Sequence, residues 1–277
     1  MTNAVTPAVL RDWGLPDPGD SKKARGDVIV VGGSRRTPGG AMLAGVASLR
    51  VGAGRLAVYA PGSIDAQLGA VLPEAAVFAL PEDASDPFPD PDRARLSSAD
   101  AVLVGPGFDD PDETRDTLLQ VAATNPRCVV LDAYALGILP QIDRDDLPDA
   151  LLLTPNKEEL ALLLDTEDVG DDLTAAVRDA AARYRAAVTC YGVVAGPDGA
   201  TWRVHGGGPG LGTSGSGDVM AGAVAGFAAR GVDPVRAAAW GTWVHTRAGN
   251  RLTQRFGLGF LARELAAELP LALREVA

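Results

Sequence analysis

The chain has 277 residues, 47% of them hydrophobic, which is ample for a substantial core. Acids outnumber bases by 36 to 25 for a net charge of −11, with no run of Lys or Arg, which argues against a nucleic-acid-binding surface and leaves any anionic ligand to be held locally. The start, MTNAVTPAVLRDWGLP, lacks a basic segment followed by a long apolar run, and no stretch reaches membrane-span length without glycine or charge, so a cytoplasmic protein with no membrane partner is expected.

In chain order, apolar runs bounded by Gly, Pro and Asp predict buried strands at 27–33 (DVIVVGG), 55–61 (RLAVYAP), 74–80 (EAAVFAL), 100–107 (DAVLVGPG), 128–133 (CVVLDA) and 150–156 (ALLLTPN). Helical patterns lie between most of them, at 39–54 and 112–124. The acidic, proline-rich stretch 80–95 reads as a long surface loop rather than a linker, so one domain over residues 1–277 is expected. A further helix at 176–187 leads into 188–206, read as two strands around Gly196-Pro197-Asp198-Gly199, and three helices follow at 217–230, 234–249 and 258–275. Strand alternating with helix predicts an α/β fold: a mostly parallel central sheet, helices on both faces, and an antiparallel hairpin toward one edge.

Ligands of such sheets bind where strands end at their carboxyl edge. The residues there are Gly32, Gly33 and Ser34, then Gly105, Pro106 and Gly107, then Asp132, and finally Thr154, Pro155 and Asn156. We expect them to face one cleft with Gly215, Gly217 and Asp218, from the loop of GLGTSGSGDVMAGAVAGF (210–227). That loop exposes N–H groups at a helix start, an anion site, yet it carries an acid. Either Asp218 takes a proton from a hydroxyl while the N–H groups of Gly215, Ser216 and Gly217 hold phosphoryl charge, or Ser216 or Asp218 caps the helix. Cys128 and Cys190 lie in apolar runs and read as core. His205 and His245 are too far apart in sequence to suggest a zinc site or a triad, and His245 reads as a helix surface or packing position.

The segments VVGGSRRTPGGAMLAGVASLRVGAGRLAVYAP, VLVGPGF, VVLDAYAL, LLTPNKEEL and SGSGDVMAGAVAGF, spanning 27 to about 250, resemble the ADP/ATP-dependent NAD(P)H-hydrate dehydratases, which have the ribokinase-like fold. The resemblance implies a stand-alone repair enzyme that dehydrates hydrated NADH or NADPH. ADP or ATP, accompanied by Mg2+, is the co-substrate, with ADP favoured. It implies substrate contacts from Ala41, Gly107, Asn156 and Asp218, and nucleotide contacts from Tyr191, Gly192, Val193, Val194, Ala195 and Gly217. Asp218 would deprotonate the ring hydroxyl, which attacks the terminal phosphoryl group; phosphate then leaves under the push of the ring nitrogen. A homo-oligomer is also implied.

Three positions depart from the family pattern. Asn156 stands for a histidine, and Tyr191 for a lysine, replacing a cation with a stacking face and one hydroxyl. Tyr134 stands for a second acid after Asp132. These keep a small-molecule kinase of the same fold, or a non-catalytic nucleotide-binding relative, as alternatives. Plainer readings cover the rest: MAGAVAGFAAR is close helix packing, Trp240 and Trp243 are core or subunit contacts, KEEL (157–160) is a solvated first turn, and Arg35 and Arg36 are surface residues.

Overall fold

The computed structural model describes residues 2–276. Its first elements are β1 (Thr2–Ala4), α1 (Pro7–Trp13), β2 (Asp27–Val31), α2 (Gly39–Arg50), β3 (Arg55–Ala60), α3 (Asp65–Val71), β4 (Ala75–Ala79), α4 (Asp90–Ser97), β5 (Ala101–Val104) and α5 (Pro111–Ala122). The chain continues through β6 (Val129–Leu131), α6 (Tyr134–Ile138), β7 (Leu151–Leu153), α7 (Lys157–Leu164), α8 (Leu173–Arg183), β8 (Ala187–Cys190), β9 (Val193–Ala195) and β10 (Thr201–Arg203). It ends with α9 (Ser216–Ala229), α10 (Pro234–Phe256) and α11 (Ala262–Leu273). The strands form one sheet in the order β1-β10-β9-β8-β7-β6-β5-β2-β3-β4. Every neighbouring pair is parallel except the two that involve β9, so β9 alone runs against the rest.

Because side chains alternate across a strand, each apolar run feeds two cores. Val28, Val30, Val58, Leu103, Val130 and Leu152 point to one face and pack against α2, α9, α10 and α11. Ile29, Val31, Val102, Val104, Val129 and Leu131 point to the other, under α5, α6, α7 and α8. Continuous runs of Val and Leu are what a sheet covered on both sides demands.

Several expectations change. The stretch 80–95 is not all loop: α4 begins at Asp90, where Asp90 and Asp92 suit the positive helix start and Leu96 anchors the far end in the core. The run 188–195 is not one strand, because Tyr191 and Gly192, with φ of 45° and 83°, turn β8 back onto β9. The 188–206 region therefore holds three strands. β1 pairs in parallel with β10 and occupies the sheet edge outside them, an element absent from the sequence reading. Helix α2 stops at Arg50, α10 runs on to Phe256, and α11 starts only at Ala262. Trp240 and Trp243 are both buried, Trp240 against the Phe227 ring at 5.7 Å, and both belong to the core. Cys128 and Cys190 are buried free thiols. Among the described residues no helix is long and apolar enough to cross a membrane.

One helix contact sets up the site. A Cβ on Gly222 of α9 would lie 2.1 Å from the Ala44 carbonyl oxygen of α2, and one on Gly226 would lie 2.7 Å from the Ser48 carbonyl oxygen. The contacts advance in step, so the two helices run parallel with their backbones touching. One turn earlier in the same register, Asp218 comes against Gly40: a Cβ on Gly40 would lie 3.1 Å from Asp218 Oδ1.

Candidate active site

The chain leaves β2 toward β3 on one side and returns to β5 on the other, a topological switch point at the carboxyl edge of the sheet, the edge where open α/β sheets hold ligands; here the loops beyond β2 and β5 close on each other. These loops are tied to each other. Gly33 N–H donates to the Pro106 carbonyl at 2.8 Å, and Thr37 Oγ1 donates to the Gly107 carbonyl at 2.7 Å while lying 2.8 Å from Ser34 Oγ. A Cβ on Gly40 would sit 2.8 Å from the Gly107 nitrogen, so Gly40, Gly107 and Asp218 meet without an intervening side chain.

Helix α9 starts from Gly215, which has φ 87° and no side-chain cap. This settles one alternative: neither Ser216 nor Asp218 caps the helix. Of the three N–H groups expected to bind an anion, on Gly215, Ser216 and Gly217, that of Ser216 donates to the Thr213 carbonyl at 3.1 Å. That of Gly217 is in the first turn, where no intrahelical acceptor exists, and so is that of Asp218, which was not among the three.

His245 of α10 fastens this turn. Its Nε2 lies 3.0 Å from both the hydroxyl and the carbonyl oxygen of Ser216. Burial pushes the imidazole down to about 4, so it is neutral at physiological pH and can accept from the hydroxyl or donate to the carbonyl. His245 was expected only as a surface or packing position. Its sequence signal is weak, since a buried histidine on an apolar helix face reads as packing.

Burial pushes the Asp218 carboxyl up to about 6, leaving it mostly ionised at neutral pH. Asp132 is pushed to about 8, first by complete burial and then by the charges of Glu159 and Asp218. Thr154 Oγ1 donates to Asp132 Oδ1 at 2.8 Å and only partly offsets these effects. Burial thus raises both acids, and Asp132, enclosed on all sides and facing two other carboxyls, further than Asp218.

A cleft of about 850 Å³ opens over these groups. It is lined by Asp132, Asn156, Tyr191, Gly192 and the segment 215–218, as well as by Thr154 and Pro155. Ala41 is fully buried one residue past Gly40, and Val193, Val194 and Ala195 are fully buried in β9; neither they nor Gly107 line the cleft, and the expected Gly32, Gly33, Ser34, Gly105 and Pro106 do not either, because the loops after β2 and β5 close on each other. The Asn156 side chain is engaged in a capping box: Oδ1 accepts from the Glu159 N–H at 2.9 Å, while Glu159 Oε2 accepts from the Asn156 N–H at 2.8 Å. Glu159 is thus a cleft residue whose carboxyl is raised by burial, not part of a solvated turn; Lys157 and Glu158 are exposed as expected. The Asn-x-x-Glu spacing was the available signal. Arg35 and Arg36 are exposed and away from the cleft, and so is Tyr134.

The chain's own side chains offer Mg2+ no ready-made resident site: Asp132 Oδ1 accepts from Thr154 Oγ1, and Glu159 Oε2 is engaged in its capping box. Among the described residues no group of three or more His, Cys, Asp or Glu could hold a metal.

The NAD(P)H-hydrate dehydratase family model matches residues 28–271. The chain is 45% identical to the ADP-dependent (S)-NAD(P)H-hydrate dehydratase of Xanthomonas campestris, covering 96% of this chain and 94% of that one. It is 33% identical, over 91% of its length, to a bifunctional NAD(P)H-hydrate repair enzyme of Moorella thermoacetica, of which it spans only 50%. The ADP/ATP-dependent NAD(P)H-hydrate dehydratase of Bacillus subtilis, co-crystallised with ATP and Mg2+, superimposes with a TM-score of 0.86 at 24% identity over 100% of this chain and 99% of that one. The fold is the ribokinase-like one. A match over most of the residues, an alignment nearly end to end with a dehydratase, and a cleft assembled at the matched strand ends lead to one conclusion: the chain belongs to the NAD(P)H-hydrate dehydratase family.

Proposed function

We propose that this protein removes water from hydrated NADH or NADPH at the expense of an adenine nucleotide, ADP in preference to ATP, and that Asp218 is its catalytic base. The observation that carries the reading is the uncapped carboxylate of Asp218, held against Gly40 and Gly107 beside free first-turn N–H groups and ionised at neutral pH. Asp218 takes the proton of the ring hydroxyl as its oxygen attacks the terminal phosphorus; one oxygen–phosphorus bond forms and the bond to the departing nucleotide breaks. The N–H groups of Gly217 and Asp218 hold the charge that accumulates on the phosphoryl oxygens, the form of help most useful in phosphoryl transfer. Phosphate is a far better leaving group than hydroxide. The ring nitrogen lone pair expels it with the carbon–oxygen bond, and loss of a proton from the adjacent ring carbon restores the dihydropyridine.

Asn156, through the amide nitrogen left over from its capping bond, and Asp218 contact the hydrated nicotinamide. Tyr191, Gly192 and Gly217 border the nucleotide. The preference for ADP follows the Xanthomonas relative. Mg2+, when it enters, comes with the nucleotide phosphates, and none of the steps above runs through it. Such a reaction belongs to the cytoplasm, where its substrates are held. The test is to mix the protein with hydrated NADH and ADP or ATP and follow the return of reduced-nicotinamide absorbance. Recovery with ADP supports the reading. No recovery with either nucleotide, while phosphate appears on an alcohol instead, overturns it in favour of a kinase.

A further inference from the structure

The cleft presents three carboxyls, from Asp132, Glu159 and Asp218, against two basic side chains, Lys157 and Arg203. A polyphosphate entering so acidic a site needs a cation in reach. Lys157 follows Asn156 at the carboxyl end of β7, and Tyr191 follows Cys190 at the end of the adjacent parallel strand β8, so the two side chains are brought together by strand pairing. Lys157 Nζ stands 5.4 Å from the centre of the Tyr191 ring, within cation–π range. Among the described residues Lys157 has no salt-bridge partner, although carboxyls surround the cleft.

The Tyr191 backbone sharpens the point. Its turn is a two-residue link between antiparallel strands with positive φ at both central positions, the geometry that favours Asn, Asp or Gly. Tyr191 adopts φ 45° there, costly for a bulky side chain, and the residue is 66% exposed, so core packing does not explain the aromatic group. Its visible contact with function is the ammonium above its face. An ammonium on an aromatic face keeps its N–H donors free for an anion, whereas one in a salt bridge has its charge already matched.

We infer that Lys157, poised on the Tyr191 ring, is the cation that binds the terminal phosphates of the nucleotide, with Tyr191 as its positioning residue. This rests on the cleft being the nucleotide site. The ammonium approaches from the β7 and β8 strand ends, while the first turn of α9 supplies the N–H groups.

The experiment is calorimetric titration of the full chain and its variants with ADP, AMP and adenosine at two salt concentrations. Lys157→Met should weaken ADP by about tenfold, leave adenosine unchanged and flatten the salt dependence of ADP binding. Tyr191→Phe, which keeps the ring face under the ammonium, should bind ADP more tightly than Tyr191→Ala does. Tyr191→Ala should weaken it, and combining it with Lys157→Met should add nothing further, because the two act as one unit. ADP affinity unchanged in Lys157→Met, or adenosine weakened as much as ADP, overturns the inference, as does a phosphate dependence lost only in Arg203→Met. If the parent protein binds none of the three ligands, the nucleotide reading of the cleft falls and this inference falls with it. If it binds ADP and Lys157→Met binds it equally well, this inference alone fails.

Discussion

Replacing Asp218 with asparagine separates catalysis from architecture, because the two effects have opposite signs. Asparagine keeps the size and polarity of the group against Gly40 but cannot accept the proton. Turnover should fall by roughly 10²–10⁴-fold, the usual worth of a general base, while nucleotide binding persists. Stability should rise. A carboxyl moved from its ordinary 3.8 to about 6 is disfavoured in its ionised form by about 3 kcal/mol in the folded state. Since the group borders a solvent-accessible cleft, we expect roughly half of that to be realised, an increase of about 2–5 °C in melting temperature at pH 7.5 for a chain this size. The sign follows from linkage. A carboxyl with a raised native pKa binds more protons folded than unfolded between pH 3.8 and about 6, so its favourable contribution is complete below 3.8 and is lost as pH rises through 6. The gap between parent and variant should therefore be widest above pH 7 and close toward pH 4. The parent's turnover should rise with pH through about 6. Melting curves at the two pH values, ADP titration and the hydrate-dehydration rate measure all of this. A variant with parental turnover refutes the base, and one destabilised at pH 7.5 refutes the claim that the carboxylate is buried without a compensating partner.

Three other substitutions follow from the same geometry. His245 has a depressed pKa, so on its account stability is full above 6.5 and is lost as pH falls toward 4; His245→Gln should reduce that acid loss and slow turnover by loosening Ser216, and urea midpoints at pH 7 and 4.5 that shift identically refute it. Gly222→Ala drives a methyl into the Ala44 carbonyl and should cost about 3 kcal/mol. It should also lower turnover, because the same helix register positions Asp218; a melting temperature within a degree of the parent's would contradict the packing described. Asn156→Ala removes the α7 cap and should cost about 1 kcal/mol by urea unfolding, with a rise in KM for the hydrate; an unchanged urea midpoint would mean that the capping box carries no weight.

Much of the architecture can be read along the chain. Runs such as DVIVV and AVLV have no polar alternation, so both of their faces must be covered, and the parallel, helix-sandwiched sheet follows from that alone. Asp132, Thr154, Pro155 and Asn156 at the ends of β6 and β7, and the carboxylate in a glycine-rich helix start, likewise mark the cleft before any coordinates exist, whereas the glycines after β2 and β5 do not line it. Other features were hidden for identifiable reasons. Three residues, Thr2–Ala4, are too short for a period-2 signal and become a strand only because β10 offers an edge to pair with. Tyr191 conceals a turn because tyrosine is not a residue that turns advertise.

What the linear order determined by itself, then, was the layering and the set of polar residues at the carboxyl ends, since burial periodicity and turn chemistry act over a few neighbours. The tertiary structure decided which of them act together. The four-residue register of Asp218, Gly222 and Gly226 against Gly40, Ala44 and Ser48 places the carboxylate at the cleft, and His245, 29 residues away in the chain from Ser216, locks the turn. Strand pairing lays Lys157 on Tyr191, and burial in company with Glu159 and Asp218 raises the Asp132 carboxyl. Those outcomes depend on distances between groups remote along the chain and on the low dielectric they create for one another, quantities that no local pattern encodes.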